Sequence, residues 1–324
     1  MGFVSIKHSD RDYIKMFEDE RRKRQKPTKK QGGYFAGGTC GCIVNIGGQE
    51  VTIGRHPLVA MARYLGYNPP VTRKSLNIFD AGYQNEYSWE DYLNNKFNFS
   101  YRAEYPMEGS IIRTEVDFED SHGIVELKGV MSDNTAKKVF GKWEPKTDNL
   151  IQAGLYSLLS GKPNTLVYSQ HCNFGKLKAD KVQFPIGWDN GVLYFVRPDG
   201  GRQNTIITES GIRGYYDDIL YLVENKIVKG FERGHYDYEG KPDSDWDRSD
   251  HMVICLQGVS TWDDYINRLE IIASVPCVLT PIWGRGLKVM GYELVDLDDN
   301  PVETFETVSE AQEGFFKLGD YRVT

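Results

Sequence analysis

No stretch of eighteen apolar residues occurs in the 324-residue chain, and no charged-then-apolar leader opens it. Both absences predict a soluble, cytoplasmic protein that neither spans a membrane nor carries a secretory signal. Cysteine is scarce and odd in number, five in all, with no CxxC pair. That argues against a disulfide framework, and against a zinc or iron–sulfur site, which takes about four ligands. No iron–sulfur cluster is expected. Cys40 and Cys42, in GGTCGC, are expected to be buried, reduced thiols. Three catalytic signatures are missing: a GxSxG elbow, a GxxxxGK[ST] phosphate loop, and an HExxH pair among the six histidines. Asp243, Asp245 and Asp247 begin like a calcium loop, but Arg248 stands where glycine is required, so a solvated loop is expected.

What is present allows a large core: 40% of residues are hydrophobic and 13% aromatic. The net charge of −7 is unevenly spread. Residues 21–30, RRKRQKPTKK, hold seven basic side chains and no acid, whereas residues 292–320 hold nine acids against Lys317 alone. A basic arm of this kind suits phosphates, and the acidic end suits a protein partner.

Along the chain, residues 1–54 read as a basic arm and a Gly-rich loop with room for a short strand. In HPLVAMARYLGYNPP, Pro57 suits a first helical turn, Leu58, Met61, Ala62 and Leu65 form a stripe, and Gly66 ends the helix. A second helix over NIFDAGYQNEYSWEDYLNNKF is expected to pack through Ile78, Tyr83, Tyr87 and Leu93. Two strands follow, SIIRTEVDFE and GIVELKGV. TDNLIQAGLYSLLSGKP is a helix with Thr147 or Asp148 as its cap and Gly161 as its stop. A strand, a hairpin around Pro198-Asp199-Gly200-Gly201 and a long amphipathic helix complete residues 55–230. That order predicts an α/β core with a mixed central sheet flanked by helices. Residues 231–324 read as a small acidic α+β appendage, a hairpin plus helix.

The chain contains four Glu-x-Lys triplets. Only Glu126-Leu127-Lys128 lies in a strand, where side chains two apart share a face. If the two strands pair around a Ser121-His122 turn, Asp117 comes opposite Glu126, and Glu115 opposite Lys128, with Cβ atoms about 5 Å apart. Facing carboxylates repel unless a cation lies between them, and a hard divalent cation suits their oxygens. Gln152 and Tyr156 stand four apart in an otherwise apolar helix, as do Gly82 and Glu86 in the helix before the strands. Gly82 there would permit close approach, and Glu86 would offer a third carboxylate.

Taken in order, Gly82-x-x-x-Glu86, Asp117, Glu126-Leu127-Lys128 and Gln152-x-x-x-Tyr156 resemble the PD-(D/E)XK nuclease superfamily, in its RecB-like, phage-type exonuclease branch. Glu86 departs from the histidine frequent in that branch. The resemblance implies a restriction-endonuclease-like core and a metal-dependent nuclease acting on DNA in recombination, replication or repair, in a bacterial cytoplasm, the host's if the chain is phage-encoded. It implies that Asp117, Glu126 and the Leu127 carbonyl hold Mg²⁺ or Mn²⁺, with Glu86 completing the site. Lys128 would orient or deprotonate water, and Gln152 and Tyr156 would position it or contact the nucleic acid. Arg55, Arg63 and Arg113 are candidate phosphate contacts. A homo-oligomer is implied by analogy alone. The competing reading keeps the fold without catalysis, as a DNA-binding or assembly protein.

Overall fold

The computed structural model describes residues 32–93, 98–107, 110–119, 122–170, 180–229, 236–242, 250–284 and 288–320, with Asp19, Arg22, Lys23, Gln25, Thr28 and Lys29. Much of the basic run 21–30 and the whole Asp243–Asp247 loop lie outside the described residues.

Strands β1 (Thr28–Lys29) and β2 (Phe35–Ala36) precede β3 (Gly41–Ile46) and β4 (Gln49–Gly54). The last two form an antiparallel hairpin in which Ile46 faces Gln49 across Gly47 and Gly48. Both glycines have positive φ, 62° and 88°, as a two-residue hairpin turn requires. The Gly-rich segment is thus ordered sheet, and it buries Cys40, Cys42, Val44, Val51 and Ile53.

Helix α1 (Pro57–Tyr64) begins with Pro57 in its first turn, and His56 Nδ1 accepts the Leu58 N–H at 3.1 Å. Leu58, Met61 and Ala62 are buried, as their spacing predicts. After β5 (Tyr67–Asn68), which pairs with β1, comes α2 (Arg73–Leu93). Its orientation is a correction. Ile78, Tyr83 and Tyr87 face solvent, at 50%, 51% and 60% exposure, while Leu76 and Asn85 are buried. Leu93's side chain lies outside the described residues. The helix instead packs through Trp89, which touches the cluster of Phe118, Leu127 and Val167 and donates to Ser169 Oγ at 3.0 Å. One indole anchors the helix on a narrow line, and the tyrosine hydroxyls tolerate water.

Next come β6 (Asn98–Met107), β7 (Ser110–Glu119) and β8 (Ile124–Val130). β6, which the sequence reading lacks, pairs with β7 from Asn98↔Glu119 to Met107↔Ser110. Helix α3 (Asp133–Ala136) runs into a π-helical turn at Lys137–Gly141, then α4 (Thr147–Ser160) ends at Gly161 with φ 68°. β9 (Asn164–Gln170) lies parallel to β8, so β8–α4–β9 is a crossover unit. β10 (Lys181–Asp189), β11 (Val192–Val196) and β12 (Arg202–Thr208) extend the sheet antiparallel. The strand order is β12-β11-β10-β9-β8-β7-β2, with β6 also on β7. The chain is therefore mixed α/β, with a mixed central sheet. α5 (Glu209–Glu224) and α4 pack beside β3 on the sheet, and α2 packs on β8.

The C-terminal part contains α6 (His251–Leu256), α7 (Trp262–Ile272), β13 (Cys277–Trp283), β14 (Val289–Asp296), β15 (Pro301–Phe305) and α8 (Val308–Asp320). β14, β15 and α8 are the predicted hairpin and helix; β13 adds a third strand to the hairpin. One buried cluster draws on all three predicted segments, from Phe35 through Phe184 to Tyr265 and Phe315. Tyr265 Oη donates to the Leu58 carbonyl at 2.6 Å, and Tyr67 Oη to Glu270 Oε1 at 2.5 Å. Among the described residues, no helix is long and apolar enough to cross a membrane.

His251 tests this packing. Its Nδ1 accepts the Leu279 N–H at 3.0 Å, and its ring stands edge-on to Phe315. Burial pulls its pKa down to about 4, against a smaller upward push from Asp250. Between there and the ordinary value near 6.5, the unfolded chain binds the proton that the fold refuses. This contribution is complete above about pH 6.5 and is lost as pH falls toward 4, roughly 3 kcal/mol in all. Urea midpoints of wild type and His251→Gln are expected to converge over that window. Parallel pH profiles would contradict the assignment.

Candidate functional site

The site forms where two strands part. β7 and β8 pair at only two positions, Glu119↔Ile124 and Phe118↔Val125. Continued one step, this register would set Asp117 against Glu126, as the proposed turn requires. There the ladder stops, and Asp117 Oδ2 accepts the Leu127 N–H at 2.6 Å. Within a strand, the N–H and C=O of a ladder residue face the same neighbour, so the Leu127 carbonyl faces the same gap. Farther along β7, β2 takes over the open edge at Phe35↔Ile112 and Ala36↔Arg113, and the Gly37 N–H donates to the Arg113 carbonyl at 2.8 Å. Residues 114–117 therefore border the opening between β8 and β2.

Glu126 is only 3% exposed, and its Oε1 accepts from Lys128 Nζ at 2.5 Å. Its Oε2 is buried with no hydrogen-bond partner. Val125 and Leu127 pack toward the α2 side, so the alternation of the strand places the charges on the α4 side. Burial and then Glu126 hold the Asp117 carboxyl well above its ordinary range, against Lys128 and the Leu127 N–H; Glu86 adds a smaller push. Burial opposes charge on Lys128, but Glu126 and then Asp117 outweigh it, so the ammonium's pKa is raised.

Two crowded carboxylates, one of them with an orphaned oxygen, fit a hard cation. Among the described residues, no three side chains of His, Cys, Asp or Glu gather as a metal-binding group. The available donors are Asp117, Glu126 and the Leu127 carbonyl. Mg²⁺ suits such a set, because it keeps several waters and uses one or two carboxylates. Glu86, half-buried on α2, adds a small electrostatic push at Asp117. A Cβ on Gly82 would meet nothing within 4 Å, so that glycine serves no close approach.

Helix α4 supplies the opposite wall. Gln152 Nε2 donates to Tyr156 Oη at 2.9 Å. Burial, then Glu126, raises the Tyr156 pKa, so the phenol keeps its proton. Gly37 makes room for that phenol: a Cβ there would lie 2.3 Å from Tyr156 Oη and 2.8 Å from Thr114 Oγ1. The predicted cap is corrected. Lys146 occupies the N-cap position without a side-chain bond, and Asp148 lies in the first turn. Tyr168 Oη from β9 accepts the Lys146 N–H at 3.0 Å and Asn149 Nδ2 at 2.9 Å, steadying the helix start.

Asp148 also raises the pKa of Lys128. Its spacing to Gln152 and Tyr156, four and eight residues, places all three on one helical face. That spacing was the available signal for a residue read only as a cap. Behind it, Cys40 is buried; burial and Asp148 push its thiol up to about 12, against Arg55 and Lys128. It is no nucleophile.

The three arginines are engaged elsewhere. Arg55 Nη1 bonds Asp250 Oδ2 at 3.1 Å, Arg63 bonds Asn68, and Arg113 lies over the Tyr34 ring at 4.1 Å. Glu115's side chain lies outside the described residues. No family model matches the chain, and no curated protein matches it. Among solved structures it is similar to one described as the crystal structure of SSO0001, with 15% identity, a TM-score of 0.35, and coverage of 64% of this chain and 83% of that one.

Proposed function

We propose that the chain is a divalent-metal-dependent DNA nuclease with a restriction-endonuclease-like core, in the RecB-like branch of the PD-(D/E)XK superfamily, and an exonuclease. The observation that carries this reading is Glu126: a buried carboxylate with one oxygen on Lys128 and the other without a partner, beside the charge-burdened Asp117. A purely structural strand gains nothing from such crowding.

Asp117, Glu126 and the Leu127 carbonyl would hold the ion; when bound, it supplies Lewis acidity at a phosphate and eases deprotonation of water. The chain's own residues do the rest. Lys128, kept as an ammonium by its two carboxylates, orients the attacking water and offsets charge growing on the phosphate oxygens. The protonated Tyr156 phenol, held by Gln152, donates toward the same opening. Leu127's N–H fixes the Asp117 carboxylate before substrate arrives, which limits reorganisation during reaction.

Uniformly labelled linear, nicked and closed circular DNA, each with and without Mg²⁺, test the proposal. Release of label is expected only with metal and only from linear DNA. Equal cutting of circles would replace the exonuclease by an endonuclease. Failure to cut any of the three with Mg²⁺ or Mn²⁺ would remove the nuclease reading.

A further inference from the structure

The α2 residues that turn to solvent form an ordered column. Phe79, Tyr83 and Tyr87 are 50%, 51% and 60% exposed, and their spacing of four sets the rings about 6 Å apart along one helical edge. The other exposed positions between 77 and 88 are Asn77, Ile78, Gln84 and Ser88, none of them charged, and the half-buried Asp80 and Glu86 flank the column. Surface helices ordinarily show charged side chains to water.

The column is continuous with the candidate site. Glu86 follows Tyr83 by three residues, which makes the two neighbours on the helix surface. On the wheel Glu86 falls between Tyr83, outside, and Trp89, which anchors the helix on β8. Glu86 is also the α2 residue whose charge reaches Asp117. A strand lying along the rings would therefore run toward the opening between β8 and β2.

Size selects the occupant. Fully buried, an aromatic side chain covers about 150–250 Å², so three half-exposed rings offer roughly 240–400 Å². A stable protein interface takes about 800 Å² from each partner. A ladder of flat rings is too narrow for that, and it matches the faces of successive unpaired bases.

We propose that Phe79, Tyr83 and Tyr87 form a stacking platform that receives a single DNA strand and leads it to the Asp117–Glu126–Lys128 site. This rests on the nuclease reading and deepens it, by naming single-stranded DNA as the form engaged.

The test is the full chain carrying Phe79→Ala, Tyr83→Ala and Tyr87→Ala together, with Tyr83→Phe/Tyr87→Phe as the ring-retaining control. Stacking strengths predict at least a 10-fold rise in KM for a single-stranded oligothymidylate, with kcat unchanged. Hydrolysis of a thymidine dinucleotide, which offers no bases beyond the bond being cut, is expected to stay at the wild-type rate, and the control to behave as wild type. Unchanged KM, or an equal loss on the dinucleotide, would overturn the platform. Wild type inert on both substrates would sink the nuclease reading alone. The platform would then stand or fall on whether the triple variant binds oligothymidylate at least 10-fold more weakly than wild type. A change in sedimentation without a change in DNA binding would reassign the column to a protein partner and overturn the proposal.

Discussion

Replacing Lys128 by alanine is expected to slow Mg²⁺-dependent DNA hydrolysis by roughly 10²–10³-fold, the usual effect of deleting one preorganised charge-stabilising donor. Lys128 is 24% exposed at the mouth of the site and bonded to the buried Glu126. Truncation leaves the fold's apolar packing intact but removes a cation that balances two carboxylates. Asp117→Asn tests the same site from the other side. An amide oxygen still accepts the Leu127 N–H, so local geometry holds, while the charge that attracts a cation is gone. Thermal denaturation with Mn²⁺ reads this without activity: at about a hundred times Kd, the ion stabilises the wild type by about 2.7 kcal/mol. Asp117→Asn is expected to show little of that gain. Wild-type cutting by either variant, or an equal shift with metal, would refute the assignment of the site.

Phe184→Ala is expected to cost about 3–5 kcal/mol of stability. Phe184 is fully buried on β10 and meets Tyr168 at 5.9 Å and Phe195 at 5.7 Å, both edge-on. Phe195 in turn meets Tyr238 at 5.3 Å. Losing the ring leaves a void and also breaks edge-to-face contacts worth about 0.5–1.5 kcal/mol each. The damage reaches the candidate site, because Tyr168 is the residue that steadies the start of α4. Denaturant midpoints of Phe184→Ala and Phe184→Leu check the claim: the leucine variant should recover more than half the loss. A cost under about 1 kcal/mol for alanine would mean that the ladder is not tightly packed.

How much was legible depended on where each signal resided. β7, β8 and α4 could be read because alternation, helical period and the Gly161 stop are local. The register of the β7–β8 turn was also legible, from a two-residue loop, but the parting of the strands after Phe118 was not. It arises from a side chain taking the place of a backbone partner. β6 carries alternation at Phe99, Tyr101, Ala103, Tyr105 and Met107, with Ser100, Arg102 and Glu104 between them, so the signal was present and only Pro106 argued against it. β10 is similar, with Pro185 in its middle; the Pro185↔Thr165 position requires no amide donor. The face of α2 was misread because aromatic content alone does not tell a packed ring from an exposed one. Asp148 was overlooked because its role comes from β8, twenty residues upstream.

The seam between residues 58–73 and residues 265–297 has a consequence for synthesis. Tyr265 holds Leu58, Glu270 holds Tyr67, and the Leu297 carbonyl takes the Arg73 N–H at 2.8 Å. These contacts join residues 58–73 to residues 265–297. The earlier segment must wait for some two hundred further residues before it gains these partners, and such distant pairings slow folding. This side of α1 and the start of α2 would therefore stay uncovered while the central sheet is already complete.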